Sequence, residues 1–181
     1  MTKRTRKGAF PEEPALGDEF VPSGSAEENE PELRVRIQTL LDREPFAVLC
    51  TQGGGQPYGA LVAFAFTDDL AHLVFATPVT TRKYRLLREC DRVAVVVDSR
   101  AQTPGEITTI EAVTVTGRAV EIEREGEDDR WERLLLSRHP YLRSFVRASS
   151  CALFRVDTVR YLHVVRFQEV RQWIPGTGSS R

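Results

Sequence analysis

Cysteine is scarce in this chain of 181 residues: only Cys50, Cys90 and Cys151 are present, and they lie far apart in sequence. An odd number of scattered cysteines without a CxxC pair argues against a disulfide framework and against a zinc site. Cys50 and Cys151 lie in apolar, strand-like runs, which predicts buried and inert thiols. We therefore expect a protein of the reducing cytoplasm, and we predict no metal site.

Long apolar runs and an excess of charge of one sign are also missing. No segment approaches the roughly 20 apolar residues needed to cross a bilayer, and the N-terminus lacks the apolar core of a secretory signal. The formal net charge is −1, whereas proteins that bind nucleic acid over a wide surface are usually strongly basic. We expect neither a membrane nor a nucleic acid as a partner.

The composition that remains is that of an ordinary globular protein, with 41% hydrophobic and 28% charged residues. The length suits one domain with a real core. Residues 1–28 combine a basic cluster with a segment rich in Pro, Gly and Glu, which predicts a flexible tail. Residues 29–174 form the predicted domain, and residues 175–181 form a short C-terminal tail.

Within the domain, helical spacing of apolar residues alternates with short β-rich runs. The first helix has the residue types of a helix start at Asn29-Glu30-Pro31-Glu32 and ends at Pro45. The predicted strands are residues 46–51, 58–66, 70–77, 92–98, 108–123, 151–156 and 160–167, with an edge segment at 170–174. Further helices are predicted at residues 80–89 and 127–138, with a turn of helix within 140–146.

The order of these elements predicts a barrel. Two consecutive hairpins among the first three strands indicate an antiparallel meander. In the long strand 108–123 the apolar alternation changes phase near Gly117, which predicts a bulge or bend of the kind that turns corners in barrels. The last two strands are predicted to pair across Asp157-Thr158. We expect a mostly β fold with flanking helices, in which the helices cover the openings of a small antiparallel β-barrel.

The helix predicted after the third strand has an unusual start. It opens with two hydroxyls, on Thr80 and Thr81, and with the cations Arg82, Lys83 and Arg85. Cations are unfavourable at a helix N-terminus, because the free amides there already carry partial positive charge. Free amides, hydroxyls and basic side chains together describe a phosphate site. A solvated basic helix face is the alternative, and the paired hydroxyls favour the phosphate.

Other candidate groups have plainer interpretations. Gly53-Gly54-Gly55 lacks the spacing of a phosphate-binding loop and predicts a hairpin turn. Asp68-Asp69 predicts turn chemistry and not a catalytic carboxylate pair. His72, His139 and His163 are isolated in sequence, which favours surface or packing positions. Of the three, His163, on a late strand, is the best candidate for a haem or substrate contact, and we name no catalytic residue.

Phe75-Ala76-Thr77, a four-residue step to Thr81-Arg82-Lys83, and then Leu86 resemble the pyridoxamine 5′-phosphate oxidase-like flavoproteins. In that family, a strand that ends in threonine leads to a helix start that binds the phosphate of flavin mononucleotide (FMN). The passage through residues 86–93 into the next strand is also similar to the family. The order of elements from about residue 30 to residue 174 resembles its fold, so the resemblance implies an antiparallel split β-barrel of the FMN-binding type.

The resemblance implies roles for particular residues. Thr81, Arg82 and Lys83 would hold the phosphate with help from Thr80, and Thr77 would meet the flavin or its ribityl chain. The second strand would present backbone groups to the polar edge of the flavin ring. A homodimer with the cofactor at its interface is also implied, where Trp173 either faces the partner's flavin or packs at an edge. The implied cofactor-binding residues are Tyr58, Gly59, Ala60, Leu61, Val62, Thr77, Thr80, Thr81, Arg82, Lys83 and Trp173.

The chain departs from authentic pyridoxamine-phosphate oxidases. Their second strand carries a basic motif, where this chain has the apolar run 61–66, and they have a glutamine where this chain has Ala112 or its neighbours. Their C-terminal arginine pattern is not matched, so oxidation of vitamin B6 is not expected. Residues 166–174 loosely resemble the haem-utilisation branch, whose members often end in a Phe…Trp segment.

We therefore expect a cytoplasmic, homodimeric flavoprotein that binds FMN and acts as an oxidoreductase on an unidentified small molecule. One alternative is a non-catalytic protein that stores or senses flavin or haem. Another is a reductase that uses the deazaflavin cofactor F420 in place of FMN. The sequence does not separate these possibilities.

Overall fold

The computed structural model of the protein describes residues 30–101, 109–123, 129–165 and 169–176. A 3-10 turn at Pro140–Leu142 connects the third and fourth helices. The helices are α1 (Glu30–Arg43), α2 (Arg82–Glu89), α3 (Arg130–Arg138) and α4 (Arg143–Arg147). The strands are β1 (Phe46–Gly53), β2 (Gln56–Phe66), β3 (His72–Pro78), β4 (Arg92–Asp98), β5 (Ala112–Glu121), β6 (Cys151–Val165) and β7 (Glu169–Trp173).

These strands form one antiparallel sheet in the order β3-β2-β1-β4-β5-β6-β7. An additional pairing of β3 with β6, from His72↔Asp157 to Pro78↔Cys151, closes six of the strands into a barrel. Strand β7 pairs with the opposite half of β6, from Tyr161 onward. The prediction of a mostly β, split antiparallel barrel with flanking helices is confirmed.

One prediction about the barrel is wrong: residues 151–156 and 160–167 do not form a hairpin. Strand β6 runs without a break from Cys151 to Val165, pairing with β3 over its first half and with β5 over most of its length. Asp157 and Thr158 resemble a turn in sequence, but both lie within the strand. The side chain of Arg155 donates to Asp157, and Thr158 N donates to Ala71 O at 3.0 Å. The strands β3 and β5, which pair with β6 here, are distant in sequence, so the continuous strand has no local signature.

The irregularity predicted near Gly117 is present. Thr116 pairs with Arg160 whereas Gly117 pairs with Thr158, so Val159 is an extra residue in β6. A Cβ at position 117 would lie 2.5 Å from the carbonyl oxygen of Asp157. Only glycine lets the two strands approach this closely, and the bulge helps β6 to bend from one side of the barrel to the other.

The interior of the barrel is the main hydrophobic core. The face of α1 that its spacing predicts to be apolar is buried, and α1 contacts β4, β5 and β7. A second cluster lies on the other side of β2 and β3, where Trp131, Leu135 and Leu136 of α3 pack. Helix α2 packs against β1 and β3 and buries Leu86 and Leu87.

Several boundaries differ from the predictions. Helix α2 begins at Arg82 and not at residue 80, because Thr81 is its N-cap. Strand β3 begins at His72 and not at residue 70, because Leu70 has a φ of 59°, outside the range of a strand. The predicted start of the third helix at residue 127 lies outside the described residues. Most of the two predicted tails does as well, so the domain limits stay a prediction.

Within the described ranges, no helix has the length and apolar character that a membrane span requires. All three cysteines are described and none forms a disulfide. Cys151 is buried, as predicted, whereas Cys50 is only half-buried, and its burial raises the pKa of its thiol. No cluster of three or more His, Cys, Asp and Glu side chains in the described part of the chain could hold a metal ion.

Candidate functional site

The residues predicted to bind phosphate lie where β3 ends and α2 begins. Pro78 ends the strand, and the amide of Val79 donates to Ser150 O at 2.8 Å, which fixes the turn to the start of β6. Thr81 follows in an extended conformation, with φ −81° and ψ 156°, as the N-cap of α2. The N-terminus of α2 is therefore held in a defined place beside the ends of β3 and β6.

We call the junction between the end of β3, the start of α2 and the neighbouring part of β2 the corner. The hydroxyls of Thr77 and Thr81 form hydrogen bonds within it. Thr81 Oγ1 accepts from Tyr84 N at 3.3 Å and donates to Pro78 O at 2.9 Å. Thr77 is fully buried, and its Oγ1 lies 2.9 Å from that of Thr81. A hydroxyl has a single proton to donate, so Thr77 is the donor in this pair. Both side chains hold the helix start, whereas Thr80 is exposed in the turn.

Two amides at the N-terminus of α2 have no acceptor among the described residues. Tyr84 N is capped by Thr81, and Arg85 N donates to Thr81 O at 3.4 Å, which leaves the N–H groups of Arg82 and Lys83. The first turn contains no acidic side chain. Open amides, the helix dipole and two adjacent cations together favour an anion at this position.

The side chain of Arg82 reaches across to the second strand. Its guanidinium carbon lies 5.0 Å from the centroid of the Tyr58 ring, a cation–π contact. Arg82 is exposed, and Tyr58 and Lys83 are half-buried. The contact connects the first residue of α2 with the beginning of β2.

Strand β2 has an unpaired edge next to this contact. On one side it pairs with β1 over its first eight residues, but on the other side it pairs with β3 only at Phe64, Ala65 and Phe66. Within the described part of the chain, residues 58–62 therefore have no strand partner on that second side. Backbone groups on this edge are open to a ligand or to another chain. The segment contains Tyr58, Gly59, Ala60, Leu61 and Val62.

Trp173 lies apart from this corner. It is the last residue of β7, is 6% exposed, and its ring centroid lies 5.5 Å from that of Tyr161. Strand β7 pairs with the half of β6 that does not pair with β3. Within one chain, ten of the predicted cofactor-binding residues lie on β2 or from the end of β3 to the start of α2, and Arg82 contacts Tyr58 between these two groups, whereas Trp173 lies in the core.

The glycine triplet and the aspartate pair have the structural roles that the sequence predicts. Gly54 and Gly55 form the two-residue turn between β1 and β2, with φ of 57° and 77°. The carboxylate of Asp69 accepts from the hydroxyl of Thr67 and from the amide of Ala71, and these hydrogen bonds lower its pKa. These groups shape turns and contribute nothing to the corner.

One of the three histidines is partly exposed and the other two are buried. His72 Nδ1 lies 3.0 Å from Asp157 Oδ1 at the partly exposed end of β3. His139 is buried, with Nε2 2.8 Å from Phe64 O. His163 is fully buried in β6. The expectation that these histidines are not ligands stays a prediction.

Sequence reasoning missed a polar cluster further along α2. The hydroxyl of Tyr84 lies 3.3 and 3.4 Å from the two carboxylate oxygens of Glu121, and Arg88 Nη1 donates to the same carboxylate at 3.0 Å. The cluster borders a cavity of about 430 Å³, which Val79 and Cys151 also line. The i, i+4 spacing of Tyr84 and Arg88 is a weak signal. Nothing local to Glu121 indicates its partners.

A model of the pyridoxamine 5′-phosphate oxidase family matches residues 33–173. The chain belongs to this family. The matched range begins in α1 and ends at Trp173, so it contains the barrel and the whole corner between β2 and α2. No curated protein sequence matches the chain at a significant level.

Solved structures share the fold of this pyridoxamine 5′-phosphate oxidase family member. A haem-binding protein from Mycobacterium smegmatis aligns with a TM-score of 0.69 and 14% identity, over 78% of this chain but only 57% of its own. A FAD-binding protein from Mesorhizobium loti aligns with a TM-score of 0.57 and 22% identity, over 71% of this chain and 91% of its own. A haem storage protein from Vibrio cholerae aligns with a TM-score of 0.60 and 14% identity, over 73% of this chain and 93% of its own. At such identities the likeness shows the fold alone.

Proposed function

We propose that this member of the pyridoxamine 5′-phosphate oxidase family binds FMN and uses it to oxidise or reduce a small molecule. One observation carries the proposal: the open N-terminus of α2 lies next to the unpaired edge of β2. The first suits a phosphate, and the second suits the hydrogen-bonding edge of a flavin ring. The contact of Arg82 with Tyr58 connects the two.

The phosphate end of the proposed site consists of amides and cations. The free N–H groups of Arg82 and Lys83, with their side chains, match the charge and the acceptors of a phosphate. Thr80 is exposed beside them and contributes a hydroxyl. Thr81 acts as the N-cap that presents the amides. Thr77 holds Thr81 in place at the end of β3, where the ribityl chain would pass.

The ring end of the proposed site is the backbone of β2. Residues 58–62 have unpaired N–H and C=O groups on the side away from β1. Gly59 and Ala60 have small side chains, so a planar ring can approach the strand closely. The donors and acceptors of an extended strand suit the alternating donors and acceptors of a flavin edge.

The chemistry of this corner suits binding and orientation. When bound, FMN would supply hydride or electron transfer. The cations and amides of α2 would fix the phosphate, and the β2 backbone would orient the ring. Val62 is buried and would exclude water from part of the site. We assign no side chain as a nucleophile or general base.

We also propose a homodimer with the cofactor at its interface. A row of residues faces the outer side of the sheet across five strands, because residues directly opposite in an antiparallel pair point the same way. The row consists of Leu61, Val48, Val96, Thr114 and Leu162. Leu61 is 66% exposed, and an apolar sheet face of this kind favours a protein partner. A second chain on this face would also cover the proposed flavin site.

The relatives named above include one FAD-binding and two haem-associated proteins, so flavin and haem are both candidate ligands. The corner favours flavin, because its amides and cations match a phosphate. A haem would need an iron ligand at an accessible position. Among the histidines, His72 is paired with Asp157, and His139 and His163 are buried.

Uptake of FMN by the purified chain tests the proposal. The R82A/K83A variant should bind FMN roughly 100-fold more weakly or worse, because it loses two charge-assisted hydrogen bonds that contribute about 1.5–3 kcal/mol each. The matched control R133A/R143A removes two arginines from α3 and α4 and should bind like wild type. Unchanged affinity in R82A/K83A would remove the assigned role.

The spectrum of the bound cofactor separates FMN from F420 and from haem. A wild-type protein that takes up no FMN would overturn the proposal. Steady-state turnover with a nicotinamide donor then separates an enzyme from a storage protein. A bound flavin that is never reduced and reoxidised would indicate storage.

A further inference from the structure

His163 is an unusual buried group. It lies on β6 with no exposed surface, and neither Nδ1 nor Nε2 has a hydrogen-bond partner among the described residues. Buried polar atoms in folded proteins are nearly always bonded, and an imidazole left without partners is a free energy penalty. The site therefore needs a physical explanation other than packing.

A carboxylate lies close to the imidazole, that of Glu111, which precedes β5. Its Oε2 lies 3.9 Å from His163 Nε2, which is too long for a hydrogen bond but within range of an ion pair. The backbone of Glu111 is fixed by Ser99. Glu111 N donates to Ser99 Oγ, and Ser99 N donates to Glu111 O, both at 3.0 Å. These hydrogen bonds hold the backbone of Glu111 beside Ser99, with the carboxylate next to the imidazole.

The elements packed around His163 contribute charges of both signs. On β7, Arg171 is the residue paired with His163. Its Nη2 lies 3.8 Å from Oε2 of Glu169 on the same strand. From α1, the exposed Arg36 acts on His163 electrostatically. Burial lowers the pKa of His163, the Glu111 carboxylate partly offsets this, and Arg36 adds to the lowering. The imidazole is consequently neutral in the closed fold at neutral pH.

We propose that His163 and Glu111 form an acid-sensitive switch in the layer where α1 and β7 pack on the barrel. A proton taken from solvent by His163 creates a buried imidazolium that Glu111 compensates only in part, because its carboxylate is too far away for a full hydrogen bond. Opening of the layer gives the imidazolium access to water. Acid therefore favours the open form, and neutral pH favours the closed form.

Proton linkage determines whether acid stabilises or destabilises the closed form. The pKa of His163 is lower in the closed fold than in an open or unfolded chain, where it is about 6.5. The open form binds more protons below that value. Stability is therefore fully present above about pH 6.5 and is lost as the pH falls through the window below it.

Urea unfolding of the full chain at about pH 7.5 and about pH 5.5 tests the switch. The wild-type unfolding constant should rise up to about tenfold per pH unit below the open-state pKa, since one extra proton is bound. H163Q should lose this part of the pH dependence. The control H72Q, which removes a partly exposed histidine, should retain it. In E111Q the loss of stability should continue to lower pH than in wild type. The substitution removes the carboxylate that favours protonated His163, so the pKa of His163 in the closed fold falls further.

Parallel pH dependence in wild type and H163Q would overturn the proposal. A direct measurement covers the case in which H163Q does not fold. The chain has three histidines, so H72Q and H139Q together assign their imidazole NMR signals, and the signal that both variants retain is that of His163. His163 should not titrate in the closed fold above about pH 6.5, and acid should expose Trp173 on β7 to solvent. A His163 signal with a midpoint at or above that value, or a Trp173 indole signal unaffected by acid, would also overturn it.

Discussion

The guanidinium of Arg82 lies 5.0 Å from the ring of Tyr58, so the first residue of α2 is tied to the unpaired edge of β2. The two side chains belong to the two ends of the proposed cofactor site. A cation at the first position of a helix is opposed by the helix dipole. The aromatic face offsets part of this penalty and keeps the charge beside the open amides.

Replacement of Tyr58 by leucine tests this positioning role. Y58L should bind FMN roughly two- to fivefold more weakly, because an exposed cation–π contact is worth about 0.5–1 kcal/mol. Y58F keeps the ring and should bind like wild type. Titration of FMN fluorescence measures both affinities. Equal affinity of Y58L and Y58F would show that the ring does not position Arg82.

The position of this corner is largely predictable from sequence. Thr77, Thr81 and the two cations lie within seven residues of one another, so local strand and helix signals place them together. The contact with Tyr58 is not predictable in this way. It depends on β2 and α2 meeting in space, and their separation along the chain gives no periodic signal.

Thr81 should contribute measurably to stability as well as to the site. Its hydroxyl caps Tyr84 N and bonds to Pro78 O and Thr77. T81A should lower the free energy of unfolding by about 1 kcal/mol, the usual effect of losing an N-cap. T81S keeps the hydroxyl and should be close to wild type. Urea unfolding measures the difference, and a T81A variant as stable as T81S would contradict the capping role.

The long strand β6 shows where sequence reasoning fails. Asp157 and Thr158 interrupt an apolar run with polar residues, as a turn would, and the prediction of a hairpin followed from that local composition. In the fold, Asp157 is paired with Arg155 and His72 on the surface of the strand. Its pairing with β3 and β5 decides the conformation, and tertiary pairing of this kind overrides local preference.

Gly117 should tolerate no side chain. A Cβ there would lie 2.5 Å from Asp157 O and 2.8 Å from Val156 Cγ1, and both groups are fixed in β6. G117A should therefore lower the free energy of unfolding by about 2–3 kcal/mol. G59A is a matched control within a strand, because its Cβ would meet only Val48 Cγ1 at 3.5 Å. Thermal or urea unfolding that ranks the two variants equally would contradict the close approach.

The outer sheet face provides the sharpest test of assembly. Leu61 is 66% exposed and lies in the β2 segment proposed to hold the flavin ring. L61E would place a charge at the β2 end of the proposed dimer interface, next to the proposed flavin site, so we expect a monomer by sedimentation and a parallel loss of FMN binding. V35E is the control, since Val35 is 57% exposed on α1 and lies outside this face. A wild-type protein that sediments as a monomer would contradict the interface, and so would an L61E variant that stays dimeric. Loss of the dimer together with loss of FMN binding would support an interface and a cofactor site on this same face.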